Sequence, residues 1–151
     1  MPNIKINARD VVVQVEAATA NTWVLIDGLT SATVNPSENE ETAETTTFSS
    51  AGHYEQMIMQ RGASMELEGV RLVDQATGAS EPGQARCEEL ATKVGHESLG
   101  RVRFRHPLQT TWKVWTATFS VGEQGGGTND MMSWSCTITR SGASTTMAVT
   151  P

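Results

Sequence analysis

The groups best suited to catalysis or metal binding are scattered along the chain. His53, His96 and His106 stand far apart in no His-Glu-x-x-His arrangement, and Cys87 and Cys136 form no Cys-x-x-Cys pair. The ligand spacings that hold zinc are therefore missing. The run Gly122-Glu123-Gln124-Gly125-Gly126-Gly127-Thr128 is glycine-rich. A phosphate-cradling loop, however, ends in Gly-Lys-Ser/Thr and opens a helix, whereas a strand pattern follows this run. It reads as a flexible hairpin loop. Ser49 and Ser50 lie close to His53 in sequence only, without the glycine-flanked turn that presents a hydrolase serine. The expectation is a protein with no catalytic residue, no metal and no cofactor.

Three constellations remain that could bind rather than react. Arg101, Arg103 and Arg105 alternate on one strand pattern and could form an anion-binding stripe. Arginines on one strand face more often pair across strands with carboxylates, here Glu66 and Glu68. Trp23, Trp112, Trp115 and Trp134 could make a sugar-binding platform, but three of them alternate in phase with aliphatic residues, which favours core or subunit-interface anchors. The third is the acidic, threonine-rich segment 35–47, which has no large apolar residue between Val34 and Phe48. On its own it cannot build a core, so it is either a solvated disordered loop or an arm that orders when subunits meet. In the second case its contact residues are Glu38, Glu40, Glu41, Glu44, Thr46 and Phe48.

The elements that must position these groups are mostly strands. Val11, Val13, Val15 and Ala17 alternate with polar neighbours over residues 10–17. Residues 23–26 form a short apolar run closed by Asp27-Gly28, read as a strand covered on both sides, with a continuation over 30–34. Further strands are expected at 53–60 and 64–73. In the latter the apolar phase shifts at Gly69, which predicts a bulge there. One helix follows: Glu81-Pro82-Gly83-Gln84 supplies its entry, Cys87, Leu90, Ala91 and Val94 recur at helical spacing, and Gly95 closes it. Strong period-two patterns over 101–106, 111–121 and 132–138, and a weaker one over 145–149, complete the chain. Seven or eight strands with one helix predict a mainly β fold, a β-sandwich or flattened β-barrel with the α-helix on its flank.

A single domain of 151 residues can bury about two-thirds of its unfolded surface without covalent staples. The two cysteines fall on apolar faces of different elements and read as small buried hydrophobes rather than a disulfide. A formal net charge of −6 disfavours specific nucleic-acid binding, which needs surplus lysine and arginine. No stretch reaches the roughly 18 apolar residues of a membrane span, and residues 1–10 lack the layout of a signal peptide, so synthesis in a cytoplasm and no membrane partner are expected.

Several blocks, in this order, carry a more specific likeness: Trp23-Val24-Leu25-Ile26-Asp27-Gly28, the acidic run into Thr45-Thr46-Thr47-Phe48-Ser49-Ser50-Ala51-Gly52, and Met65-Glu66-Leu67-Glu68-Gly69-Val70. Glu81-Pro82-Gly83-Gln84, Pro107, and Ser133-Trp134-Ser135 after the late glycine-rich loop continue it across most of the chain. Together they resemble the tail tube (major tail) proteins of long-tailed, siphophage-type bacteriophages. One departure is Glu81, where similar sequences often have an aspartate. The resemblance implies one tail-tube domain over 1–151, assembled as hexameric rings stacked into a tube that conducts the genome during ejection. It implies a virion protein made in the host cytoplasm, whose partners are its own copies and the tail-tip initiator, tape measure and tail terminator proteins. Genomic DNA would pass without specific binding. The loop 35–47 and both termini are then expected to be mobile in the free subunit, and Glu66 and Glu68 become candidates for the lumen. The alternative from another class is a carbohydrate- or receptor-binding β-sandwich module of a phage tail or secretion system.

Overall fold

The computed structural model describes residues 3–149. The alternating patterns become strands: β1 (Val12–Glu16), β2 (Trp23–Leu25), β3 (Leu29–Asn35), β4 (Glu41–Glu44), β5 (Gln56–Gln60) and β6 (Ser64–Val70) precede the helix α1 (Pro82–Ala91). After it come β7 (Gly100–Arg105), β8 (Thr111–Val121), β9 (Ser133–Arg140) and β10 (Thr145–Ala148). Seven strands lie in the order β2-β1-β7-β8-β9-β6-β3, all neighbours antiparallel. β10 pairs with the first half of β8, and β4 and β5 form a separate two-stranded ribbon. This is the mainly β, sandwich-like architecture with one flanking helix that the sequence predicts.

Period-two alternation places the core. Val13 and Val15 of β1, Met65 and Leu67 of β6, Trp115, Ala117 and Phe119 of β8, and Trp134, Cys136 and Ile138 of β9 join one buried cluster. Cys87 and Leu90 close it from the helix. Both cysteines are free thiols. The neighbouring Cys136 thiol, followed by burial, pushes the Cys87 thiol well above its usual range, so it stays neutral and behaves as a small apolar group.

Three local expectations are corrected. β2 is not covered on both sides: it lies at the sheet edge, and Leu25 is 47% exposed. The bulge expected at Gly69 falls instead on the facing strand, where Thr30 is the extra residue between the pairs Leu29↔Gly69 and Ser31↔Glu68. A side chain at Gly69 would stand 2.2 Å from the Gly28 carbonyl oxygen, so glycine lets the other backbone close in and the irregularity moves there. The helix also ends before Val94, because the Thr92 N–H and hydroxyl both turn back onto the Glu89 carbonyl. Val94 is left extended and exposed.

The helix entry behaves as its sequence suggests, with Glu81 accepting from the Gln84 N–H at 2.9 Å and Pro82 in the first turn. The Gln84 side chain has a second task. Fully buried, it donates to the Val70 carbonyl (2.8 Å) and the Asp27 carbonyl (3.2 Å) and accepts from the Leu72 N–H (3.1 Å). It thus ties the helix to the end of β6 and to the Asp27 turn. Gln84→Leu keeps the bulk but orphans these groups, and should lower unfolding stability by about 2–4 kcal/mol in urea melts.

Candidate functional site

The acidic segment acquires a definite shape. Residues 36–39 turn, β4 runs over Glu41–Glu44, and β5 returns antiparallel to it. The segment expected as a loop without structure of its own therefore contains a strand, because β5 supplies the main-chain partners that its own side chains cannot attract. The base is tied by Arg61 to Glu40 (3.3 Å) and by the Gln60 amide donating to the Asn39 carbonyl (2.7 Å). At the tip, Thr47 and Ser50 form a reciprocal capping box around a single 3-10 turn, and Thr46 and Glu55 bond to each other. Glu38, Glu41, Glu44, Thr46 and Phe48 are exposed and Glu40 is half-buried against Arg61.

What sequence reading missed on this arm is apolar. Met57, Ile58 and Met59 of β5, with Tyr54 near the tip, are exposed and join Phe48, which the sequence had already offered as a contact residue, in an extent of apolar surface that marks contact sites in soluble proteins. The available signal was the Met57-Ile58-Met59 run itself, which has no polar alternation to place it on a half-buried strand.

Glu66 and Glu68 lie on the outer face of the main sheet, both exposed. Glu66 stands between Thr33 and Thr137 and Glu68 between Ser31 and Ser135 in the ladder, while Ser120 and Thr118 of β8 extend the face beyond β9. The result is a surface of hydroxyl groups carrying two carboxylates.

The arginines meet other partners than expected. β7 lies between β1 and β8, with β9 separating β8 from β6, so Glu66 and Glu68 are out of reach. Arg101 pairs with Glu16 at 3.1 Å. Arg103 is clamped between the Trp23 and Trp112 rings, 4.4 and 4.2 Å from their centres, and donates to the Gln14 side chain at 2.8 Å. Arg105 lies over Trp112 and donates to the Pro107 and Gln109 carbonyls at 3.0 Å each. Burial first, then the flanking Arg101 and Arg105, hold the Arg103 guanidinium below the usual arginine range.

This arrangement uses two of the tryptophans, and the other two, Trp115 and Trp134, sit in the core. None of the four is exposed, which leaves no open indole platform for a sugar ring. Arg103→Lys keeps the charge but loses the planar stack on both rings, and should cost about 1–2 kcal/mol in a thermal melt. Among the described residues no cluster of three His, Cys, Asp or Glu side chains could hold a metal, and no helix is long and apolar enough to cross a membrane.

No protein-family model and no curated protein matches the sequence. The fold has clear counterparts among solved structures. A chain from the virion of a native gene transfer agent particle superposes with a TM-score of 0.70 at 17% identity, covering 95% of this chain and 100% of that one. A chain from the tail of an empty gene transfer agent particle, refined helically with C6 symmetry, gives 0.68 at 19% identity over 95% of this chain and 100% of the other. One from the six-fold symmetrised baseplate of the anti-feeding prophage gives 0.61 at 12% identity, covering 98% of both. At these identities the likeness is one of fold, and it extends from end to end. The fold that the sequence resemblance implied, a β-sandwich or barrel with one flanking helix, is one this chain shares with chains of these virion, tail and baseplate particles.

Proposed function

We propose that this protein is a structural, non-enzymatic subunit that polymerises as stacked hexameric rings into a phage-type tail tube, the conduit for genome ejection. The observation that carries this reading is the arm. A body whose fold recurs in a C6-symmetric helical tail bears a projecting two-stranded ribbon with an exposed apolar strand. A head-to-tail contact repeated around an axis closes into a ring, whereas contacts between rings stay open and propagate.

The ribbon joins neighbouring subunits in this scheme, and the sheet edges at β2 and β3 pair with adjacent copies, which also hides edges that strand-rich proteins must protect. An isolated two-stranded ribbon is marginally stable in water, so the arm is mobile in the free subunit and orders on assembly; residues 1–2 and 150–151, at the termini for which the same was expected, lie outside the described residues. Ordering costs about 1–2 kcal/mol per residue, which makes unaided nucleation slow and gives a tail-tip initiator its role as template. The hydroxyl face with Glu66 and Glu68 suits the lumen: it offers phosphates no cation, so DNA slides instead of sticking. Tape measure and terminator proteins would meet the tube inside and at its end.

Sedimentation tests the reading. Wild-type protein held concentrated for several days should move into a pelletable fraction that grows with concentration. A protein that stays a monomer at every concentration, with and without purified tail tips as seeds, would remove the proposal.

A further inference from the structure

At the base of the arm lies an apolar cavity of about 210 Å³, with Ile6, Val11, Val34 and Phe104 in its walls and Arg105 and His106 among the residues that line it. An apolar cavity of roughly 150 Å³ is enough to hold a benzene ring, so this one can take a phenyl group. Its polar side is incompletely used. His106 is 7% exposed, and its Nδ1 accepts from the Leu108 N–H at 3.2 Å, which leaves the proton on Nε2. That Nε2 has no hydrogen-bond partner among the described residues, the Asp10 carboxylate being 3.9 Å away. The atom is itself buried, so it is not open to an acceptor entering the cavity.

The complementary group stands at the other end of the arm. Phe48, in the tip turn, is fully exposed; Glu44 lines the same surface depression, and the Glu55 carboxylate accepts from the Ser50 hydroxyl of that turn. Over residues 36–63 the arm carries five glutamates (Glu38, Glu40, Glu41, Glu44, Glu55) against the single Arg61, while the residues that line the cavity include the cation Arg105 and no carboxylate. From the Asn35↔Ser64 pair at the base to the tip, about nine residues at some 3.3 Å each let the arm reach out by up to roughly 30 Å, and no residue of 36–63 is among those that line the cavity of its own subunit. It serves another copy.

We propose that Phe48 at the arm tip of one subunit inserts into the Val34–Phe104 cavity at the arm base of the next, with the acidic arm drawn to the side of the cavity that holds Arg105. The contact presupposes the self-assembly proposed above and names its partner surface. Tip and base are different patches, so the joint is heterologous and each subunit both gives a knob and offers a hole, which is the condition for propagation.

The test uses full-length chains carrying one new cysteine each, Phe48→Cys and Val34→Cys, differently tagged, mixed at high concentration and mildly oxidised. Cys87 and Cys136 are buried and should not compete. A disulfide-linked heterodimer is expected in at least tenfold excess over the control pair Phe48→Cys with Val94→Cys, whose second site is exposed but lies outside the cavity. Equal yields from the two pairs would overturn the proposal. In parallel, Phe48→Ala should cut pelletable polymer at least tenfold while Phe48→Leu, still apolar, retains most of it, and melting temperatures should not change. Undiminished polymer from Phe48→Ala would likewise reject the knob. Wild-type tubes without selective cross-linking would remove this contact and leave the tube, whereas selective cross-linking between copies that never form tubes would keep the contact and remove the tube.

Discussion

Replacing residues 41–60 by Asn-Gly should leave a folded monomer that forms no tubes. Glu41 and Gln60 are cross-strand partners, so Glu40 and Arg61 stand close enough for a two-residue turn of the type that Asn-Gly favours to join them. Neither β4 nor β5 contributes a residue to the buried core, so the melting temperature should stay within about 3 °C of wild type. What is removed is the exposed Met57-Ile58-Met59 strand and Phe48, the surface with no use in an isolated subunit. Circular dichroism checks the fold and sedimentation the assembly. An armless protein that still pellets as ordered polymer would show that the body faces alone direct assembly.

Trp134→Ala should unfold the protein more readily than a change at any exposed position. Trp134 is the largest side chain with 0% exposure, and its loss leaves a cavity worth about 3–5 kcal/mol. That is a large fraction of a typical total of roughly 5–15 kcal/mol, and should lower the melting temperature by roughly 10–15 °C. The indole also donates to Glu88 on the helix at 3.2 Å. Glu88 is held in turn by an ion pair with Arg71, which donates to Ser80 at 2.6 Å. One side chain therefore fills the core and anchors the helix. Trp134→Phe, which keeps most of the volume and loses the N–H, should cost about half as much. A loss below about 1 kcal/mol for the alanine variant would mean that the core is not organised around this position.

How much of this was legible in the sequence follows from what periodicity encodes. In β9 and from Trp115 onward in β8 the alternation holds, and Trp115, Phe119, Trp134 and Ile138 are buried as it requires, whereas Val114 beside Trp115 is buried out of phase. The helix start was marked by Glu81 and Pro82, since capping is a local interaction. Periodicity states which face a residue occupies but not which strand lies beside it, so the arginines were given to Glu66 and Glu68 when the ladder gives them Glu16, Gln14 and two tryptophans. Gln84 was invisible for a similar reason: its partners are backbone groups of Asp27, Val70 and Leu72, which no side-chain pattern announces. The acidic segment was picked out by its composition, yet its strand was not, because β4 is stabilised by β5 and carries no apolar face of its own. The hole that we assign to Phe48 is assembled from residues as distant as Ile6 and Phe104, a juxtaposition that exists only in the fold.

The central claim is that this chain builds a hollow tube. Negative-stain electron microscopy of the purified wild-type protein, concentrated and incubated for several days with and without tail-tip seeds, tests it most directly. Hollow filaments or stacked rings of uniform width, six-fold in end-on views, are the expected images. Small monodisperse particles under both conditions would contradict the account.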